Sequence, residues 1–398
     1  MARSTKARRV AVGLAVTMAG VLALTGCGGE TTIGAGASSA ASEAASAVAS
    51  TAASAAGSSA APAASATAAA FPTSSGGDLN LYNWSDYIPP EEIKRFEEET
   101  GIKVHLDVYD SNDSMIAKLQ AGGANYDVIV PTDYAVAQLI ELGLLEEVDP
   151  ASFPNGQYIS PEQMDLYFDP GRKFSAPYMF GTTGVAYDPT KSGGEIATWA
   201  DYYASDNPAA GNISVLNGQN DVVSTALRAV GAQPCSTNRE DYVAVEALLK
   251  GFKPNVKVIG SDGTISRMAS GETSVAMMWN GDFHRAAKDN KNLRWVYPSE
   301  GVSMWVDNLA VPKGAENLDN AKIFINWMMD PKNIAEASNF TAYGNGITGS
   351  DAFMDSALAQ DPAIATPADK ATLLSAVPLC TQEAIDLYTK VFTDFKKG

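Results

Sequence analysis

Residues 79–108 read LNLYNWSDYIPPEEIKRFEEETGIKVHLDV, and this stretch decides the fold. Apolar and polar residues alternate at 79–84 and again at 102–108, a period that predicts two strands. Between them, the proline pair at 89–90 opens a helix with two glutamates in its first turn, and Gly101 ends it. This order of elements predicts a strand–helix–strand unit with parallel strands.

The same alternation of strands and helices continues along the chain. The sequence predicts further strands at 126–130, 273–278, 293–297 and 304–311, and helices at 114–121, 133–142, 282–290 and 318–329. Asp133 and Asp282 stand where a helix cap is expected. The pattern predicts an α/β protein with mainly parallel sheets, and the absence of a 20–50-residue repeat excludes a solenoid.

Length and charge narrow the classes of protein. The chain has 398 residues, of which 45% are hydrophobic, enough for two modest domains with cores of their own. Its formal net charge of -18 is unsuited to nucleic acid and weakly favours a cationic ligand. With three cysteines, no CxxC spacing and two isolated histidines, neither a metal site nor a cofactor is expected.

The first 77 residues are interpreted as a targeting signal followed by a disordered tether. A basic segment at 3–9 precedes an uncharged apolar run at 10–24, which is short for a membrane span. Leu24-Thr25-Gly26-Cys27 resembles the bacterial lipobox, which implies a signal peptide at 1–26 and lipidation of Cys27; an ordinary secretory signal is the alternative. Residues 27–77, mostly Ala, Ser, Thr and Gly, are predicted to form a disordered tether reaching roughly 40 Å.

Aromatic and acidic residues recur where the predicted strands end. They are Trp84, Ser85, Asp86 and Tyr87 after the first strand, Thr132, Asp133 and Tyr134 after the third, Trp279 after 273–278, and Trp305 and Asp307 within 304–311. Ligands bind beyond the carboxyl ends of strands in open α/β sheets, and aromatic faces with carboxylates suit an organic cation.

Each of these residues also has a structural interpretation. Trp279 can close the end of a core, Tyr134 can be packing, and Asp86 can cap a helix. Asp307 is the exception, because a carboxylate between Val306 and Leu309 needs a partner.

Five segments, in order, resemble the bacterial spermidine/putrescine-binding proteins of polyamine importers. They are LYNWSDYIPP at 81–90, FEEETGIKV at 96–104, YDVIVP at 126–131, MWNG at 278–281 and WVDNLAVP at 305–312. The resemblance implies a two-lobed, type II periplasmic-binding-protein fold of the α/β class, with the ligand cleft between the lobes. By that analogy, lobe one comprises 78–184 plus 306–350, and lobe two comprises 185–305 plus 351–398.

The same resemblance implies the ligand-binding residues. They are Trp84, Ser85, Tyr87, Thr132, Tyr134, Asp221, Trp279, Trp305, Asp307 and Tyr343. The family usually has two acids three positions apart before a helix of lobe two, but here Gly218 takes the first position and only Asp221 remains. Asn217 or Gln219 is expected to supply neutral hydrogen bonds instead, and Gln382 is a candidate for a further family contact.

The resulting prediction is a monomeric, extracytoplasmic substrate-binding protein of an ABC importer, held at the outer face of the cell membrane by lipid. Its expected partners are a putrescine- or spermidine-type polyamine and the permease subunits. The alternatives are a same-fold protein for a sugar, a metal ion or another organic cation, and a hydrolase using Asp221 and Asp307 as paired carboxylates. No GxSxG, HExxH or P-loop motif supports an enzyme, and an adhesin would not need convergent aromatic residues.

Two cysteines remain once Cys27 is assigned to lipid. The family's lobe assignment places Cys235 and Cys380 together in lobe two. Disulfides persist outside the cytoplasm, so a disulfide is predicted, with two separately buried thiols as the alternative.

Overall fold

The computed structural model describes residues 71–72, 76–122, 125–376 and 379–398. These residues belong to one compact unit, Thr67–Gly398. The predicted signal peptide, Cys27 and almost all of the predicted tether lie outside the described residues. In the part of the chain that is described, no helix combines the length and apolar character needed to cross a membrane.

The strands of the described residues join in one mixed sheet. They are β1 (Gly77–Trp84), β2 (Ile102–Tyr109), β3 (Val128–Ile129), β4 (Ser175–Tyr187), β5 (Ile213–Val215), β6 (Val256–Ile259), β7 (Val275–Trp279), β8 (Arg294–Val296), β9 (Val302–Ala310), β10 (Gly344–Asn345) and β11 (Leu374–Ala376). The strand order is β2-β1-β3-β9-β4-β7-β5-β6, with β8 and β10 paired to β4 and β11 paired to β9.

The expectation of mainly parallel sheets is wrong. Strands β1, β2 and β3 pair in parallel, as do β5, β6 and β7. However, β4 is antiparallel to β7, β8, β9 and β10, and β3 is antiparallel to β9. Two parallel groups are therefore joined through antiparallel strands in the middle of the sheet.

Helices cover this sheet. They are α1 (Pro90–Thr100), α2 (Asn112–Gln120), α3 (Asp133–Glu141), α4 (Pro161–Met164), α5 (Trp199–Tyr202), α6 (Gln219–Ala229), α7 (Arg239–Phe252), α8 (Thr264–Ser270), α9 (Asn280–Asp289), α10 (Leu318–Met328), α11 (Pro331–Thr341), α12 (Ser356–Gln360) and α13 (Gln382–Lys397).

The signals that predicted α1 are confirmed, whereas two predicted caps are wrong. Helix α1 begins at Pro90 and ends where Gly101 adopts the left-handed conformation at φ 72°. The N-cap of α3 is Thr132, so Asp133 lies one residue inside the helix, where its carboxylate accepts the Tyr134 N–H. Asp282 likewise lies in the first turn of α9. Both aspartates are thus placed inside a helix, close to its positive end.

Among the described residues, buried apolar side chains form four clusters, which we group into two cores by the parts of the chain that they draw on. The first core draws on residues 79–179 and 305–347, and the second core on 185–293, Ala363 and 388–395. Strand β4 contributes to both, with Tyr178 in the first core and Val185 in the second. One continuous strand therefore connects the two cores. The predicted lobe boundaries remain a prediction.

Helix α13 is fixed at its beginning by a covalent bond. Cys235 and Cys380 form a disulfide with their Cα atoms 5.0 Å apart. The backbone N–H of Cys235 also donates to the hydroxyl of Tyr388 at 2.8 Å, and Tyr388 is buried in the second core. The C-terminal helix is thereby attached to the loop that follows α6.

Candidate ligand-binding site

A cavity of about 220 Å³ lies where several of these elements converge, and its walls contain all ten side chains that the sequence predicted for ligand binding. The walls also include polar residues that the sequence analysis did not assign to the site: Asp86, Asp110, Asn112, Thr183, Asn220, Ser261, Asp262, Asp282, Arg285 and Ser303. The volume is smaller than that of most drug-sized sites, which suits a small ligand.

Asp307, on β9, is the most tightly held carboxylate of the cavity. Only 5% of the residue is exposed. Its Oδ1 accepts the Thr132 hydroxyl at 2.6 Å, and its Oδ2 accepts the Tyr87 hydroxyl at 2.7 Å. Burial raises the pKa of Asp307 to about 7, although both hydrogen bonds act in the opposite direction. A cation arriving here would restore the ionised form.

Asn112, the first residue of α2, orients Thr132 and Tyr134 through its side-chain amide. Its Nδ2 donates to the hydroxyl oxygens of Thr132 and Tyr134, each at 2.9 Å. Its Oδ1 accepts the backbone N–H of Thr132 at 3.2 Å. Because Thr132 in turn donates to Asp307, the Asn112 amide fixes the direction in which the threonine hydroxyl points.

Asp221, on α6, is the second carboxylate near Asp307. Its Oδ1 accepts the Thr183 hydroxyl at 2.8 Å. Burial raises the pKa of Asp221 to about 6, against hydrogen bonds from Thr183 and Trp279. The charge of Asp221 contributes to the raised pKa of Asp307 as well, so the two carboxylates share one region of negative potential.

A further group of charges surrounds Asp282. The Tyr343 hydroxyl donates to its Oδ1 at 3.0 Å. Burial raises the pKa of Asp282 to about 6; the charge of Arg285 and the Tyr343 hydrogen bond counteract burial, and the charge of Asp86 adds to it. Arg285 Nη1 donates to the backbone carbonyl of Asp86 at 3.2 Å.

The start of α9 reaches this position because Gly281 has no side chain. A Cβ there would lie 2.5 Å from the Tyr343 ring and 2.6 Å from the Thr341 carbonyl oxygen. The glycine of the MWNG segment therefore permits α9 to pack directly on the chain that carries Tyr343.

Aromatic rings form much of the remaining wall. Trp84 and Trp279 meet edge to face with centroids 5.7 Å apart, and Trp305 meets Tyr343 at 5.0 Å. Trp84 is oriented by its indole N–H, which donates to the Val130 carbonyl at 2.9 Å. Ring faces and carboxylates in one cavity are complementary to an organic cation.

Three side chains that were expected near the ligand lie elsewhere. Asn217, Gln219 and Gln382 are not among the cavity-lining residues. The Asn217 amide donates to Asp110 Oδ2 at 2.7 Å, and Gln219 Oε1 accepts the Thr389 hydroxyl at 3.0 Å. Asn217 and Gln219 therefore do not replace the missing family acid; their side chains are committed to other contacts.

The missing side chain at Gly218 leaves room for the Asp221 carboxylate. A Cβ on Gly218 would lie 2.6 Å from Asp221 Oδ2, so this carboxylate occupies space that a side chain at 218 would need.

Among the described residues, no group of three or more His, Cys, Asp or Glu side chains could hold a metal ion.

A two-lobed α/β fold with a small cavity lined by aromatic and acidic side chains is typical of extracellular solute-binding proteins. Residues 91–366 match the family model of the bacterial extracellular solute-binding proteins, and the chain belongs to this family. The resemblance and the fold class predicted from the sequence are confirmed.

Three similar proteins illustrate the family. The putrescine-binding periplasmic protein SpuD of Pseudomonas aeruginosa is 32% identical over 340 residues, covering 80% of this chain and 92% of SpuD. The spermidine/putrescine-binding periplasmic protein 1 of Haemophilus influenzae is 33% identical over 305 residues, covering 75% and 83% of the two chains. The solved spermidine/putrescine ABC transporter substrate-binding protein PotD of Streptococcus pneumoniae has a TM-score of 0.65 at 28% identity, covering 81% and 99%.

Proposed function

We propose that this protein is an extracytoplasmic substrate-binding protein of an ABC importer, and that it captures a putrescine- or spermidine-type polyamine in the cavity described above. The observation that carries the proposal is Asp307: a buried carboxylate in a partly aromatic cavity, with both oxygens oriented by hydroxyl donors. A buried carboxylate without a charged partner is costly, and an ammonium group supplies that partner.

The distribution of charge fits a ligand with more than one cationic end. The charge of Asp221 raises the pKa of Asp307, and the charge of the exposed Asp86 raises the pKa of Asp282; we call these the two acidic pairs. Aromatic walls add about 0.5–2 kcal/mol for each good contact between a ring and an ammonium group. A sugar would use the rings but would leave the buried Asp307 and Asp221 without positive charge, so a polyamine fits this cavity better.

The names of the relatives agree with this chemistry, since SpuD is named for putrescine and PotD for spermidine and putrescine. PotD is also named as a component of an ABC transporter, which supports permease subunits as the partners. The lipobox at Leu24-Thr25-Gly26-Cys27 belongs to the same proposal, with Cys27 carrying the lipid and residues 27–77 acting as the tether of a monomer.

Contacts between segments of the two predicted lobes support their closure over the ligand. Asn217 contacts Asp110, and Arg285 contacts the Asp86 carbonyl. In each pair, the two residues come from segments assigned to different lobes, 78–184 plus 306–350 and 185–305 plus 351–398. Bridges of this kind form only when the lobes approach, as in hinge closure around a ligand.

Isothermal titration calorimetry tests the proposed function. The chain from residue 28 onward is titrated with putrescine, spermidine and spermine, and in parallel with a set of sugars and amino acids. Saturable binding of at least one polyamine is expected, with no heat from the sugars. If no polyamine binds at millimolar concentration, the proposed function is wrong.

A further inference from the structure

Arg285 is the exception to the acidic character of the cavity. Of the described residues that line it, Arg285 is the single lysine or arginine. It lies on α9, donates from Nη1 to the Asp86 carbonyl at 3.2 Å, and has its guanidinium 4.9 Å from the centroid of the Phe340 ring. Two contacts of different kinds therefore hold a positive charge in the wall of a site suited to cations.

The position of this guanidinium relative to the acids matters for ligand choice. Asp282 interacts with Asp86 and with Arg285, whereas Asp307 interacts with Asp221. Arg285 thus offsets negative charge at one acidic pair and leaves the other pair without a cation. Asp86 adopts the left-handed conformation at φ 54°, which aspartate tolerates better than most residues.

We propose that Arg285 is a specificity-determining residue, which makes the cavity favour a linear diamine over a linear triamine. This inference rests on the proposed function. A diamine places one ammonium group at each acidic pair. A triamine brings a third ammonium group into a cavity that already holds the Arg285 charge, and like charges in a binding site are strongly unfavourable.

Two further acids line the cavity, but neither offers an equivalent place for a third ammonium group. Asp110 is only half-buried, so solvent weakens its attraction for an ammonium group, and its Oδ2 also accepts the Asn217 amide at 2.7 Å. Asp262 and Asp86 are both exposed, so solvent and salt screen their attraction for a cation, and Asp282 is the main acid of its pair. Asp110 and Asp262 therefore do not cancel the repulsion between Arg285 and a third ammonium group.

The test compares dissociation constants for putrescine and spermidine in four proteins: the wild type, Arg285→Gln, Arg285→Lys and Lys288→Gln. Lys288 is the matched control, since it lies on the same helix, is exposed and does not line the cavity. The wild type is expected to bind putrescine more tightly. Arg285→Gln should reduce this preference by about tenfold, because it removes the repulsion. Arg285→Lys, which keeps the charge, should retain most of the preference, and Lys288→Gln should retain all of it.

Failure of this inference is distinguishable from failure of the proposed function. A wild type that binds both amines equally, or spermidine more tightly, overturns the role of Arg285 but leaves polyamine binding intact. An unchanged preference in a folded Arg285→Gln variant, verified by its thermal melt, overturns it as well. A wild type that binds neither amine contradicts the proposed function itself.

Discussion

Asp307 occupies a strand whose neighbouring residues are buried, and its two oxygens already accept hydroxyl hydrogen bonds from Thr132 and Tyr87. The hydroxyls orient the carboxylate but do not neutralise it. In the proposed complex the ligand's ammonium group provides the opposite charge, so Asp307 is the residue at which loss of charge should matter most.

Asp307→Asn should weaken polyamine binding by about 30-fold or more, because truncating one partner of a buried charge pair costs about 2–5 kcal/mol. Calorimetric titration measures the change. Asp369→Asn is the control, since Asp369 is exposed and does not line the cavity. Equal affinities for wild type and Asp307→Asn would contradict the assignment.

The raised pKa values of Asp307, about 7, and Asp221, about 6, predict that binding weakens in acid. A bound cation favours the ionised carboxylates and so lowers their pKa values. At pH 5 the empty site holds protons that the ligand must displace, whereas at pH 8 it does not. Affinity should fall from pH 8 to pH 5, by up to about tenfold per pH unit for each proton displaced.

Titrations at pH 7 in two buffers with different ionisation enthalpies provide the check. The observed heat should differ between the buffers in proportion to the protons released on binding. An affinity that does not change between pH 5 and pH 8 would show that these carboxylates do not exchange protons with the ligand.

Sequence reasoning predicted the cavity-lining residues that stand in recognisable motifs and missed cavity-lining residues at the starts of helices. Asn112 and Asp282 lie in the first turns of α2 and α9, where the same residue types ordinarily satisfy backbone N–H groups. Arg285 was missed because a basic residue on an amphipathic helix is usually solvated. The fact that Asp282 follows Trp279 by three residues, within one helical turn, was the available signal.

Among the elements, α13 depends on residues far from it in sequence. Its buried face, which includes Tyr388 and Phe392, completes the second core. The disulfide Cys235–Cys380 fixes the chain two residues before α13 begins. The bond spans 145 residues of sequence, so it limits the unfolded chain strongly.

Replacing both cysteines by serine should lower the free energy of unfolding by about 2–4 kcal/mol. Neither cysteine lines the cavity, so ligand affinity should change little. Chemical denaturation and calorimetric titration of the same preparations give both numbers. A variant with unchanged stability, or one with lost affinity but native stability, would contradict this role.

Most strands that the sequence predicted are present, including the buried strands β3, β7 and β9, but β4 was missed. Helix α1 and strand β1 carry periodic patterns and a clear start or stop signal. Strand β4 is buried along almost its whole length, so its sequence SAPYMFGTTGVAY lacks alternation. Without β4, the antiparallel centre of the sheet could not be deduced.

At the scale of the whole molecule, β4 and β9 are the neighbours that join the two halves of the sheet. Strand β4 carries residues of both cores, which makes this pair the natural place for the lobes to pivot. Two of the three proposed boundaries between lobes, at 184/185 and 305/306, fall within these two strands, and the third, at 350/351, does not.

Ligand binding should make the molecule more compact, since closure brings the lobes together. Small-angle X-ray scattering of the chain from residue 28 onward should show a smaller radius of gyration at saturating polyamine. Asp307→Asn serves as the control: at a ligand concentration that lies between the dissociation constants of the two proteins, its radius should stay closer to the unliganded value. An unchanged radius in the saturated wild type would indicate a cavity that is closed before the ligand arrives.

The position of α13 in the second core has a consequence for biosynthesis. A ribosome that has made residues 1–380 holds a chain whose second core still lacks Tyr388, Val391, Phe392 and Phe395. The other residues of this core are already present, but their apolar surface stays exposed until the side chains of α13 pack on it. Completion of this part of the fold must therefore wait until residues 382–397 have left the ribosome and α13 can pack on the core.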